Sequence, residues 1–197
     1  MNSFSRPFLF PTLRKSIMTH EPVARDMLVR LYDLPDISDL LDAVELRGIS
    51  IRRALVPEKR IVVSWVERTF HHGWADETAS AFSGHPVRCF IATEGDRVVG
   101  MSVYNAISPG VAGPLGIDPG CRSGGVGKAL FIRTLHDMRQ QGYAYAILGW
   151  IPPEAQAFYA KIVNATVIEG TQPASGMYRG IITRVERAAS SAREVLS

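Results

Sequence analysis

Cysteine is scarce in this 197-residue chain, with only Cys89 and Cys121 present. Two are too few for a disulfide framework, and neither a CxxC pair nor a zinc-type Cys/His spacing occurs. No metal site is expected, and a reducing cytoplasm is the simplest location. A surplus of one charge is also lacking. The net charge is +3, but Arg6, Arg14 and Lys15 of the acid-free first 20 residues account for three of the 22 basic residues, leaving 19 against 19 acidic. Without a basic face or stripe, nucleic acid is not an expected partner. Nor is there an unbroken hydrophobic run of membrane length. The longest uncharged stretch, from Val98 to Ile117, is interrupted by Gly100, Pro109, Gly110, Gly113, Pro114 and Gly116 and reads as two strands and a turn, so no membrane partner is expected. Pro7 and Pro11 break the apolar part of the opening segment, and no small-residue cleavage pattern follows. Residues 1–24 are expected to be a flexible leader, or to include an upstream start preceding Met18.

What remains is an ordinary globular composition, 46% hydrophobic and 21% charged, on a length suited to one well-buried domain. MLVRLYDL, after Asp26, alternates as a first strand, and Pro35 and Asp36 open a helical region. Residues 38–56 and 60–82 are expected as two helices separated by Pro57. CFIATE and VVGMSVY form a hairpin about Gly95 and Asp96, and GVAGPLGIDP supplies a short, irregular strand. A helix is expected over 126–141, with Phe131, Leu135 and Met138 on one stripe and Gly142 as its stop. YAYAILGWI is continuously apolar and belongs centrally in a sheet, PPEAQAFYAKIV starts a last helix with proline in its first turn, and ATVIEG and GMYRGII are read as two final strands. Residues 25–183 form one domain on this reading, and 184–197 a polar, alanine-rich tail.

The densest chemical signal is CRSGGVGKAL, residues 121–130. Glycine is entropically costly, so three of them before a helix suggest close approach of something to the main chain. The first turn of a helix has unpaired N–H groups and partial positive charge, and Gly124, Gly125 and Gly127 would bare it while Arg122 and Lys128 add full charges. A glycine-rich turn with solvated charges is the plain alternative. Two nucleotide-binding readings fail. A Walker A loop needs glycine where Arg122 stands and Ser or Thr in place of Ala129, and a dinucleotide fingerprint needs glycine at Leu130.

The order strand, basic glycine loop, helix, buried strand, helix carrying Phe-Tyr resembles the GNAT superfamily of acyl-CoA-dependent N-acyltransferases over about residues 26–183. Arg122, Gly125 and Gly127 match the fixed places of its Gln/Arg-x-x-Gly-x-Gly/Ala signature. Leu115, Ile117 and Pro119 match its L-x-V-x-P strand end, and Ala155, Phe158, Tyr159 and Lys161 its A-x-x-F-Y-x-K helix. Two places depart from the pattern. Pro152 replaces an asparagine that often precedes the last helix, so any contact that residue makes must be absent or supplied elsewhere. Asn164 stands near the usual glycine, where its tolerance of the left-handed conformation would serve.

The resemblance implies an α/β (α+β) GNAT fold: a mixed, mostly antiparallel central sheet of about six or seven strands with a splayed parallel pair, flanked by about four helices. It implies acetyl-CoA as acyl-donor cosubstrate, its pyrophosphate cradled by Arg122, Ser123, Gly124, Gly125, Val126, Gly127 and Lys128, its pantetheine arm paired with Leu115 and Ile117. The Ile117 N–H would stabilise the oxyanion and Tyr159 would donate a proton to the leaving sulfur, whereas Phe158 packs. Trp74, Tyr104 and Trp150 would wall an acceptor site, with His71, His72, Asp76 or Glu77 as polar contacts. Core packing is the competing role for each aromatic. Glu94 and Asp118 are further acids near turns, and the general base is left unassigned. The expected activity is acetylation of a small-molecule primary amine in a ternary complex. Protein lysine or N-terminal acetylation and a non-catalytic CoA-binding sensor are the alternatives, and a homodimer is left open.

Overall fold

The computed structural model describes residues 23–122 and 124–182. Residues 1–22 of the expected leader, the tail at 184–197 and Ser123 of the glycine loop lie outside them. Along the described residues, seven strands and five α-helices follow one another: β1 (Arg25–Arg30), α1 (Ser38–Glu45), β2 (Ile49–Arg53), α2 (Lys59–Thr69), α3 (His72–Ala81), β3 (Cys89–Glu94), β4 (Arg97–Tyr104), β5 (Ala112–Ile117), α4 (Val126–Gln140), β6 (Tyr145–Ile151), α5 (Pro153–Val163) and β7 (Thr166–Val167).

The strands form two antiparallel sheets, β2-β3-β4-β5 and β6-β1-β7. β5 and β6 run side by side and in parallel, yet only one isolated bridge joins them, Val111 to Ile147, beside a hydrogen bond from the Ile147 N–H to the Gly110 carbonyl (2.9 Å). Beyond it the two strands part. This is the splayed pair that the sequence resemblance implies. A bulge that sets Gly113 and Pro114 opposite Val103 begins the divergence, because an extra residue bends the strand that carries it.

Helices cover both faces of the four-stranded sheet. Phe90 and Ala92 of β3 pack with Leu130, Phe131 and Leu135 of α4, whereas Cys89 and Ile91 pack with Val62, Trp65 and Val66 of α2. Burial on both faces explains why CFIATE shows no polar alternation. Tyr159 of α5 meets Phe131 edge-on, ring centroids 5.1 Å apart, which fixes α5 on the α4 side. Asn164 closes α5 at φ +51°, the left-handed cap expected of it.

Three expectations need correction. The helix over 38–56 ends at Glu45, because Gly48 takes a left-handed turn (φ +79°) and ISIRR then pairs with β3 as an edge strand. The helix over 60–82 is two helices: Phe70 leaves helical geometry (φ −125°, ψ −94°), and His71 starts α3 by accepting the Trp74 N–H at its Nδ1 (3.4 Å). GMYRGII is not a strand. β1 already pairs with β6, and 176–182 instead follows turns such as Arg179 N–H to Gly176 carbonyl (3.1 Å).

Candidate active site

Between the splayed strands lies a cavity of about 530 Å³. Ala112–Leu115 of β5 form one wall and Leu148–Ile151 of β6 another. Trp74 and Glu77 of α3, Tyr159 of α5, and Tyr178 and Ile181 of the C-terminal segment complete it. Trp74, Trp150, Leu115 and Tyr159, separated widely in sequence, therefore share one concave surface.

The register of β5 decides where its backbone donors point. The Asp118 N–H bonds the Val99 carbonyl (2.9 Å), and Ile117 stands opposite Gly100. Alternation along an antiparallel ladder then turns the N–H groups of Leu115 and Ile117 away from β4, toward the parted side. Leu115 lies on the cavity wall; Ile117 lies outside it, its side chain beneath Gly127.

At the end of β5, Asp118 accepts the Gly120 N–H (2.9 Å) to shape the turn into the glycine loop. Gly124 and Gly125 both adopt left-handed backbone, φ +94° and +84°, and α4 begins at Val126 with no side chain capping its first turn. Its leading N–H groups lack intrahelical partners and carry the positive end of the dipole. Arg47, after α1, donates Nη1 to the Gly124 carbonyl (2.7 Å) and bears on the spot that a Gly124 Cβ would fill. An open helix N-terminus, two left-handed glycines and the side chains Arg122, Lys128 and Arg47 suit a pyrophosphate group.

Tyr159 is partly buried against Phe131 and Phe158, and burial pushes its hydroxyl up to about 12. It stays protonated at neutral pH. Burial likewise pushes the Glu77 carboxyl up to about 7. Tyr178 is raised by burial and then by the charges of Glu77 and Asp26. Glu94 and Asp118 have structural roles instead: Glu94 pairs with Arg97 (2.5 Å) at the hairpin turn, and Asp118 lies 3.6 Å from the same guanidinium. His72 and Asp76 are exposed and off the cavity, while His71 both caps α3 and lines it.

Tyr104 is not beside the two tryptophans. It is 1% exposed, and its hydroxyl donates to Asp137 (2.7 Å), which also binds Arg53. Sequence proximity to the cavity-lining strand misleads because alternation sends this side chain to the α4 core. Tyr104→Phe is expected to cost about 1.5–3 kcal/mol, the range for a hydrogen bond to a charged group, and to leave the amine KM unchanged. Urea midpoints and steady-state kinetics check both; a raised KM would return Tyr104 to the site.

A residue no sequence signal indicates organises the far wall. Asp26, 4% exposed, faces a β6 bulge at Gly149 and Trp150 and accepts the Trp150 N–H at Oδ1 (3.0 Å), across 124 positions of sequence. Its Oδ2 accepts the Met177 N–H (2.7 Å). Trp150 is held in a left-handed conformation (φ +51°), its ring against Tyr178 with centroids 4.9 Å apart. Gly149 is what lets this happen: a Cβ there would come within 2.5 Å of the Tyr178 ring.

Among the described residues no helix is long and apolar enough to cross a membrane, and no cluster of three or more His, Cys, Asp or Glu has a metal-binding arrangement. No curated protein matches the chain significantly in sequence. Among solved structures, the fold is similar to a GCN5-related glucosamine N-acetyltransferase region of a fungal multi-domain GH3 β-N-acetylglucosaminidase (TM-score 0.61, 14% identity, 74% of this chain and 20% of that one). It is also similar to GCN5-related N-acetyltransferases from Sphaerobacter thermophilus (0.55, 18%, 75% and 50%) and Kribbella flavida (0.52, 16%, 74% and 54%). The chain thus spans about half or less of each. The sequence profile of the Acetyltransferase (GNAT) family matches residues 51–164. That match runs from β2 through both splayed strands, the glycine loop and the Tyr159 helix, and by it the chain belongs to the GNAT acetyltransferase family.

Proposed function

We propose that this acetyltransferase moves the acetyl group of acetyl-CoA to the primary amine of a small molecule, directly and within a ternary complex. The observation that carries this reading is the 530 Å³ cavity, in which Leu115 and Tyr159 share a wall with Trp74 and Trp150. A space of that size encloses a small ligand, whereas a protein tail needs an open groove.

Bound acetyl-CoA would supply a thioester already activated for attack. The chain's part is to hold it and to stabilise charge. The N–H groups from Gly124 to Lys128, with Arg122 and Lys128, hold the pyrophosphate. The N–H groups of Leu115 and Ile117 have no paired strand on their free side and are available to the pantetheine arm or to the developing oxyanion. As the neutral amine attacks, an N–C bond forms, the C–S bond breaks with its pair left on sulfur, and the surplus amine proton goes to solvent. Holding both reactants in one cavity removes much of the entropic barrier.

Tyr159 donates a hydrogen bond to the leaving sulfur. With its hydroxyl near 12 and a thiol near ~8.5, full proton transfer would be uphill by roughly 5 kcal/mol, so the tyrosine stabilises the thiolate, which then takes its proton from water. Tyr159→Phe keeps the packing on Phe131. It is expected to lower kcat about 10–100-fold with acetyl-CoA affinity within about twofold, as for a bond made mainly in the transition state. Release of free CoA thiol across a panel of small amines and lysine peptides tests the function itself. Turnover confined to peptides would replace the small-molecule assignment, and acetyl-CoA binding without turnover on any amine would leave a sensor.

A further inference from the structure

Glu77 is a carboxylate with nothing to answer it. Its side chain lies on the cavity wall one helical turn beyond Trp74, in surroundings that include Trp150, Tyr178 and Ile181. Among the described residues it forms no hydrogen bond or ion pair, and no Lys or Arg lines the cavity. Burying an ionised carboxylate against apolar surface is expensive unless a cation matches it, and none of the described residues on the cavity wall provides one. His71, at the mouth of α3, is the other ordinarily titratable group on the wall; it is exposed and its Nδ1 is engaged by the Trp74 N–H. A cationic ligand would supply the match.

The rest of the wall limits what that ligand is. Trp74 and the tilted ring pair of Trp150 and Tyr178 present aromatic surface, which attracts a cation as well as an apolar body. A second charge on the ligand would be unwelcome if negative. A carboxylate or phosphate brought into this space would meet Glu77 without an arginine or lysine to offset either group.

Resting on the small-amine reading above, we infer that Glu77 is the acceptor anchor, pairing on entry with the ammonium of a lipophilic monoamine of the arylalkyl or alkyl class, which loses one proton to solvent before its nitrogen attacks, and that the site selects against amines bearing an acidic group. Three features of the cavity carry this: among the described residues, its single unpaired carboxylate, its aromatic walls, and a lining without lysine or arginine. Free amino acids and phosphorylated amino sugars fall outside the class, while 2-phenylethylamine, tryptamine and hexylamine fall within it.

The test compares 2-phenylethylamine with phenylalanine, which adds only a carboxylate, at pH 8 on the full chain and on Glu77→Gln. Binding is read by calorimetry in the presence of CoA, and turnover by thiol release. The wild type is expected to bind 2-phenylethylamine at least tenfold more tightly than phenylalanine. Glu77→Gln should weaken 2-phenylethylamine about tenfold or more, leave phenylalanine unchanged or improved, and keep acetyl-CoA affinity and the thermal midpoint. Equal binding of the two ligands by the wild type, or undiminished 2-phenylethylamine binding by Glu77→Gln, overturns the anchor. If thiol is then released on glucosamine or spermidine, the small-amine function survives that result. If only lysine peptides release thiol, both readings fall. A wild type that binds none of the three monoamines also overturns the inference, whatever its turnover elsewhere.

Discussion

Gly125→Glu is expected to abolish measurable acetyl-CoA binding, weakening it by two or more orders of magnitude. Gly125 caps α4 in left-handed backbone, where the helix presents its unpaired N–H groups. A glutamate there sets a negative charge against a pyrophosphate, and like charges brought together at a binding interface cost several kcal/mol. The substitution also strains the backbone by about 1–2 kcal/mol, and a Cβ would approach Leu40 Cδ1 to 3.0 Å. Gly125→Ala carries the same strain without the charge. Calorimetry with acetyl-CoA, alongside the thermal midpoint of each variant, separates the two effects: the alanine variant should bind within about tenfold of wild type, and the glutamate variant should not bind at all. Equal, near-native affinity in both would move the pyrophosphate elsewhere.

Asp26→Ala is expected to give the largest loss of stability, about 2–5 kcal/mol. It leaves two N–H groups, those of Trp150 and Met177, without their acceptor, and a buried donor left unsatisfied costs about 1–3 kcal/mol. The effect should be local as well as global. Amides of residues 171–182 should exchange with solvent much faster, because the carboxylate is the link between that segment and the β6 bulge. Asp26→Asn retains one acceptor and should lie between alanine and wild type. A denaturation midpoint unchanged by Asp26→Ala, with native exchange over 171–182, would mean that the bonds at Thr171, from Arg25 Nη1 to its carbonyl (3.1 Å) and from the Asp26 N–H to its Oγ1 (3.0 Å), hold the segment.

Where the sequence reading succeeded, the signal was local. The glycines of 124–127, the bulge-prone Gly113-Pro114 and the Pro-started α5 each have a backbone requirement that neighbouring residues display. The hairpin of β3 and β4 was legible for the same reason, since Gly95 and Asp96 encode its turn. Where it failed, the deciding interaction was distant. Gly48 is the one local break before ISIRR, and a lone glycine does not show that the segment beyond it is a strand; ISIRR becomes one because β3 offers it an edge. GMYRGII has strand composition but is held in turns, and it lies on the cavity, contributing Tyr178 and Ile181. His71 breaks a helical pattern by capping with its ring, a habit that propensities do not forecast, and the break gives α3 its own start.

By itself, then, the sequence determined the parts of this protein that resemble its family: a glycine loop at the start of α4, an irregular β5 that parts from its neighbour, and a tyrosine on α5. Those features depend on φ/ψ demands and capping within a few residues, so they can be read in order along the chain. Tertiary structure alone decided the far wall of the cavity. It removed Tyr104 to the core by strand alternation, brought Asp26 to Trp150 and Met177, and left Glu77 unpaired among aromatic rings. Burial and the absence of a partner are properties of what surrounds a residue in space, and neighbours drawn from five separate segments leave no pattern in any one of them.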